Sequence, residues 1–478
     1  MIDADNDFFI VVNIIMSGYD SAYSGEYIPH QLRTIVNRIS NFRKNNLRLQ
    51  TESQTSASPG GKIRVNLPTQ GLIDLGSLQF SGKVKGLSQT IKLPHSGIAG
   101  LIQRCDVEIG GTIIDSINDY NRLYQMLRVW TTGRPRNRLS ALESCTELAA
   151  PFASGNYLAS VTGGGVTGAE YTAGQKSTLE VVDNRTLAAD AEAAFNYSSW
   201  LGWLGQHRFM QMDTLPAPVA ITLTLDSAAC TGGASGGSFE INSINFNVQA
   251  VEFPLLSRSL YAMLERDQPI PMPFTRWVNF AMANAAGAVV NNRFSVSSQA
   301  IARVWVQSGR QSIQGRDDAT AENETGADVQ KFLSSADGAN NFFLEVDNRR
   351  TSQYDVDMTR QSVAWILGQL GVENDTDYEC LLGSEGSQSY AADATGDVDN
   401  FGTYNYFGSS WALVYSLCFN EYDREDTHNI SGLNSNGLSS AIVHNARTGF
   451  TSAATTNYHV ETKAVMNILP NRQIEVIY

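Results

Sequence analysis

The stretch Arg104–Trp130, RCDVEIGGTIIDSINDYNRLYQMLRVW, constrains this chain more than any other. Val107 and Ile109 alternate with Asp106 and Glu108, Gly110-Gly111 offers the two positive-φ positions of a tight hairpin turn, and Ile113 resumes an apolar strand. Asn118 or Asp119 can then cap a helix whose apolar stripe is Tyr120, Leu123, Tyr124, Leu127 and Trp130. The unit is strand, turn, strand, helix. Far downstream it returns: Leu344-Glu345-Val346 stands where Val107-Glu108-Ile109 stood, Asp347-Asn348 replaces the glycine pair, and Asp357 precedes Val363, Ile366, Leu367 and Leu370 on one helical face. Two copies of one supersecondary unit predict two copies of one domain.

Length agrees with that reading, since 478 residues are too many for one hydrophobic core and suit two domains of roughly 200 residues each. Charged residues are only 17%, while Gly, Ser, Thr, Asn and Ala abound, which suits strands joined by long polar loops. Ile63, Val65 and Leu67, then Leu78, Phe80 and Val84, open the first half; Ile221, Leu223 and Leu225, then Ile244, Phe246 and Val248, close it. Leu255–Arg266 reads as a helical connector, and Pro269, Pro271 and Pro273 as a stiff boundary. In the second half, Phe274–Ala283 and Phe294–Val306 read as two strands before the repeated hairpin; Trp411–Phe419, Leu438–Val443, Tyr458–Met466 and Ile474–Tyr478 close it. Ser154–Gly174, Gln307–Asn340 and Val372–Gly408 are long polar insertions. Each half is thus a run of short strands with excursions at fixed places, the pattern of a Greek-key or jelly-roll sandwich.

The net charge of −14 is dispersed, which excludes wholesale wrapping of nucleic acid. One local exception runs from Arg33 to Arg64, where Arg33, Arg38, Arg43, Lys44, Arg48, Lys62 and Arg64 meet a single acid, Glu52. Within Gln31–Leu49 the residues Leu32, Ile35, Val36, Ile39, Phe42 and Leu47 fall near helical register, predicting a basic amphipathic helix, and Thr51–Gly61 reads as a flexible linker. Residues 1–61 are therefore expected to form an arm. Such a helix can lie on an anionic membrane or touch packaged nucleic acid; it can equally dock on a neighbouring subunit.

Catalytic signatures are missing: there is no phosphate loop, no G-x-S-x-G elbow and no H-E-x-x-H helix. The sequence names no catalytic residue, no metal ligand set and no cofactor. His30, His95, His207, His428, His444 and His459 share no ligand spacing and read as surface or core-edge residues. Cys105, Cys145, Cys230, Cys380 and Cys418 are odd in number and far apart, so reduced thiols are expected. The acidic groups Glu373, Asp375, Asp377 and Glu379, or Asp393, Asp397 and Asp399, could offer oxygens to calcium without matching an EF-hand; an outward solvated loop is the plainer reading. Phe8–Met16 is too short to span a bilayer, and the acidic start Asp3, Asp5, Asp7 is wrong for an export signal.

Three phrases now carry a resemblance: Leu101–Leu127 with its VEIGGTIIDSINDYNRLYQML core, the repeated hairpin and helix at Phe342–Leu370, and GLNSNGLSSAIVH from Gly432 followed by two closing strands. From about Gly61 to Tyr478 the chain resembles the double jelly-roll major capsid proteins of tailless icosahedral viruses, the lineage of adenovirus hexon, virophages, polinton-like viruses and membrane-containing phages. The resemblance implies two tandem eight-stranded jelly-roll sandwiches, each with a short helix and long loop insertions, at 62–254 and 274–478, with 1–61 as arm and 255–273 as connector. It implies a pseudo-hexameric homotrimeric capsomer that tiles an icosahedral virus shell around the genome, so a virion protein assembled inside the infected host cell. Implied partners are other copies of the chain, penton and minor capsid or cement proteins, and an internal membrane or genome met through Arg33, Arg38, Arg43, Lys44 and Arg48. The alternative left open by the residues is a carbohydrate-binding or glycoside-hydrolysing tandem β-sandwich, which needs exposed aromatics on a concave sheet and two facing carboxylates.

Overall fold

The structure, a computed structural model, describes residues 43–52, 55–94, 96–131, 186–206, 209–233, 237–252, 254–310, 341–356, 365–366, 368–369, 412–418, 432–436, 442–450 and 453–478. The first half contains β1 (Arg43–Leu49), β2 (Ser56–Ala57), β3 (Lys62–Asn66), β4 (Leu72–Leu87), β5 (Ile91–Lys92), β6 (Ile102–Ile109), β7 (Thr112–Asn118), helix α1 (Tyr120–Thr131), β8 (Thr186–Leu187), β9 (Glu192–Tyr197), β10 (Phe209–Gln211), β11 (Val219–Leu225), β12 (Gly232–Gly233) and β13 (Ser238–Glu252). A connector helix, α2 (Pro254–Glu265), leads to β14 (Ile270–Asn284), β15 (Asn291–Phe294), β16 (Ile301–Arg310), β17 (Phe342–Val346), β18 (Arg349–Arg350), β19 (Leu413–Ser416), β20 (Ile442–Ala446), β21 (Ala454–Ile468) and β22 (Ile474–Ile477).

Sheet order exposes the duplication. In the first half β13 lies between β1 and β4, and β4 also pairs with β9; in the second half the order is β14-β21-β16-β19. The opposing sheets run β3-β11-β6-β7 and β15-β20-β17-β18. Strand for strand, β1, β3, β4, β6, β7, β9, β11 and β13 therefore match β14 to β21, eight in each half. The shorter strands β2, β5, β8, β10, β12 and β22 are additions to this frame.

Alternation of apolar and polar side chains builds each interior. Phe80 of β4 stacks on Phe246 of β13 at 5.0 Å between centroids and meets Phe195 of β9 edge-on at 4.9 Å. In the second half Phe294 of β15 lies 4.7 Å from Tyr458 of β21, so the two sheets meet face to face. Both predicted hairpins form: Gly110 and Gly111 have φ of 59° and 84°, Asp347 and Asn348 of 54° and 60°. The first hairpin runs into α1, whose Tyr120 hydroxyl is 2.6 Å from that of Tyr197 in the buried core. Of the predicted second helix, the residues 365–366 and 368–369 are helical.

Three expectations change. The helix predicted over Gln31–Leu49 does not hold in its second part, because Arg43–Leu49 is a strand paired antiparallel with β13, Arg43 opposite Glu252 and Leu49 opposite Phe246. The first sandwich thus begins inside the stretch read as an arm, and Ala57 is buried as well. Pro271 and Pro273 do not stop the chain; they lie within β14, an edge strand whose outer side needs no amide donor. Phe294–Val306 is two strands, β15 and β16, in opposite sheets, since Ser295–Ala300 carries the chain across the sandwich.

Candidate functional site

Because side chains alternate along a strand, β21 turns Tyr458, Val460 and Ala464 into the second sandwich and Asn457, His459, Glu461 and Lys463 outward. Register places Thr275, Trp277 and Asn279 of β14 and Arg303, Trp305 and Gln307 of β16 on that same outer face. An outer face this polar should be wet. Instead Asn457, His459, Glu461, Trp305 and Gln307 are all buried, because the first half covers them.

The cover comes from the first hairpin, its helix and the segment after β9. Gln206 donates to Thr275 Oγ1 at 3.1 Å, Asn279 donates to Asp119 Oδ2, and the Tyr478 hydroxyl donates to the Ile113 carbonyl at 3.4 Å. Gly202 and Trp203 sit over Asp115, whose Oδ2 accepts the Trp203 amide at 2.9 Å. A Cβ at Gly202 would run into that carboxylate, and its φ of +67° independently favours glycine. Burial raises the Asp115 pKa to about 6, against the lowering effects of the Trp203 amide and of Arg276.

At the centre of the seam stands Glu461. Arg303 Nη1 approaches it at 3.3 Å and Lys463 Nζ at 3.1 Å. Burial alone would raise this carboxyl; Lys463 and Arg303 outweigh burial and hold it at about 2. Beside it His459 takes the Gln307 amide at 2.8 Å, and burial, helped by Arg122 of α1, lowers the ring to about 3. A cleft of about 260 Å³ opens here, lined by Leu127, Trp200 and Gln206 from one half and Trp277, Trp305 and Lys463 from the other. A carboxylate locked between two cations of its own sheet is a fixed charge on the covered face rather than a general base.

The residues singled out from sequence fall elsewhere. Arg43 and Lys44 are exposed on β1, and Arg48 on the same strand donates to Asn245 Oδ1 at 2.8 Å. Arg33 and Arg38 lie outside the described residues, as do Cys145, Cys380, His30, His95, His207, His428 and both acidic groups in the Val372–Gly408 insertion. Cys105 and Cys230 are buried free thiols, and Cys418 is a partly buried one. His444 and His459, read as surface or core-edge residues, are fully buried. Among the described residues no cluster of three or more His, Cys, Asp or Glu could hold a metal ion. The seam itself was missed from sequence. The large aromatics Trp200 and Trp203 are the signal that could have pointed to it, since both are buried, but their sequence does not say against what.

No protein-family model matches the chain, and no curated protein matches it. Solved structures do. A quasi-atomic model of the PBCV-1 virus capsid matches with a TM-score of 0.58 at 12% identity, over 94% of this chain and 99% of that one. The PBCV-1 protein fitted into a reconstruction of the virophage Sputnik gives 0.57 at 10% identity, over 94% and 99%. The Faustovirus major capsid protein gives 0.51 at 9% identity, over 97% and 98%. The chain is a double jelly roll. At such low identity the likeness is one of fold, and it spans nearly the whole of each chain, both sandwiches included.

Proposed function

We propose that this double jelly roll is a major capsid protein, a building block rather than a catalyst, which assembles as a pseudo-hexameric homotrimer and tiles an icosahedral virus shell. One observation carries the reading: two matched sandwiches in a single chain align end to end with capsid proteins from PBCV-1 and Faustovirus. In this reading the protein resides in the virion. Its partners are neighbouring copies, with penton and minor capsid or cement proteins at the shell's vertices and joints. Contact with an internal membrane or the genome falls to Arg33, Arg38, Arg43 and Lys44, since Arg48 is engaged on the sheet with Asn245. The sandwiches occupy 43–252 and 270–478, joined through α2.

A carbohydrate-binding sandwich would display its aromatics, whereas Phe80, Phe246, Trp305, Tyr415 and Tyr458 are turned into the interior or the seam. Negative-stain microscopy of the purified chain tests the proposal: pseudo-hexagonal particles of three chains are expected, and a stable 52.1 kDa monomer at micromolar concentration would overturn it. Changing Arg33, Arg38 and Arg43 to Gln should leave the trimer intact while impairing shell assembly or membrane attachment. Normal particles from that variant would remove the inner-contact role.

A further inference from the structure

The cleft at the seam has a chemistry of its own. Register sets Thr275 of β14 directly opposite Lys463 of β21, and Trp277 opposite Glu461, so Thr275, Trp277 and Lys463 share one patch of its wall. Side chains paired in this way start roughly 5 Å apart at Cβ. Their hydrogen bonds leave one kind of group unused. The Thr275 hydroxyl oxygen accepts from Gln206 at 3.1 Å and from Lys463 Nζ at 3.0 Å, which fills both lone pairs and leaves its own hydrogen to be given away. Lys463 gives a second hydrogen to Glu461 Oε1 at 3.1 Å and keeps a third. The indole N–H of Trp277 meets no acceptor among the described residues.

Charge points the same way as the unused donors. The charged residues lining the cleft are Arg303, Lys463 and Glu461, two cations against one acid, and Lys463 keeps 34% of its side chain exposed. Around this patch the wall is largely apolar, with Leu127, Trp200 and Trp305. Gly202 and Gly205 line it without side chains, and a Cβ at Gly205 would meet the Trp200 carbonyl oxygen at 2.2 Å, so the backbone keeps this space clear. At about 260 Å³ the cleft is smaller than the roughly 300–1,000 Å³ of pockets for drug-sized molecules, and its occupant must be small.

We propose that this cleft binds a small carboxylate with a flat apolar body, its oxygens accepting from the Lys463 ammonium, the Thr275 hydroxyl and the Trp277 indole N–H, and its body lying against Trp200, Trp305 and Leu127. An amine or a neutral alcohol of the same shape leaves donors without acceptors and the extra positive charge unmet. Leu127 and Trp200 come from the first half and the three donors from the second, so a bound ligand holds the two sandwiches together and stabilises the folded chain. Every part of the site belongs to one chain, and binding is therefore read on the purified protein whatever its oligomeric state.

Benzoate tests this on the full chain, with benzyl alcohol and benzylamine as neutral and cationic probes of matched shape, by isothermal titration and by melting temperature. Benzoate should bind once per chain and raise the melting temperature to a plateau, and the other two should bind at least about tenfold more weakly. Trp277→Phe, which keeps a ring and drops the N–H, should weaken benzoate by about threefold to tenfold, and Lys463→Met by about tenfold or more. Circular dichroism checks both variants, and either one that folds decides. No saturable uptake of benzoate at millimolar concentration would overturn the proposal, as would equal binding of the three probes, which would mean an apolar hole without a sign of charge. Benzylamine as the tightest of the three would show that Glu461 rules the cleft, and benzoate binding unchanged in a folded variant would place its site elsewhere; each result would also overturn it.

Discussion

At the residue scale, two buried histidines make the second sandwich sensitive to acid. His444 is buried between Tyr415 and Tyr458, its Nδ1 3.0 Å from the Tyr458 hydroxyl, and burial lowers it to about 3. With His459 also near 3, the unfolded chain binds more protons than the folded one between pH 6.5 and 3. Stability therefore falls as pH falls through that window, by up to about 1.4 kcal/mol per pH unit for each histidine. Glu461 adds to the loss between 4.5 and about 2, where its folded form resists protonation. Asp115 works the other way: its folded pKa near 6 exceeds 3.8, so it favours the folded state as pH falls between those values. The melting temperature should thus drop between pH 6 and 4, and His444→Gln should flatten that slope; an unchanged slope would exclude His444 as a source. At Gly202, substitution by Ala would force both a left-handed backbone and a clash with Asp115, at a cost of about 1–3 kcal/mol read as a lower denaturation midpoint.

At the element scale, the edge strand β1 shows where the sequence was and was not legible. Hairpins announce themselves locally, through Gly110-Gly111 and Asp347-Asn348, and α1 through a stripe at helical spacing; these forms were readable because the determinants lie within a few residues. The strand β1 depends on β13, about 200 residues away in sequence, and so its period-two pair Leu47 and Leu49 was lost behind the helical spacing of Leu32 to Phe42. The same holds for β21, whose outward row of Asn457, His459, Glu461 and Lys463 reads as a solvent face until the other sandwich covers it. If β1 is a strand, Leu47→Ser with Leu49→Ser should lower stability by about 1–3 kcal/mol, since both half-buried side chains pack against the core. Lys44→Gln, exposed on the same strand, should change it by less than about 0.5 kcal/mol. Equal effects from the two variants in chemical denaturation would count against the strand.

At the scale of the whole molecule, the two sandwiches meet through polar groups as well as tryptophans, and this bears on how such a joint can be strong. A polar seam is weaker per unit area than an apolar one, but it fixes orientation, because Gln206 reaches Thr275 and Asn279 reaches Asp119 only when the two halves are set correctly. Orientation matters in a chain that holds two sandwiches against each other. Removing the acid Glu461 should do more harm than removing its whole cluster. Glu461→Gln takes the carboxylate away from Arg303 and Lys463 on this covered face and should destabilise by about 3–5 kcal/mol. The triple variant Glu461→Gln, Arg303→Met, Lys463→Met takes away the stranded charges and should recover most of that loss in the unfolding free energy. A triple variant as unstable as the single one would mean that these residues act by shape rather than by charge.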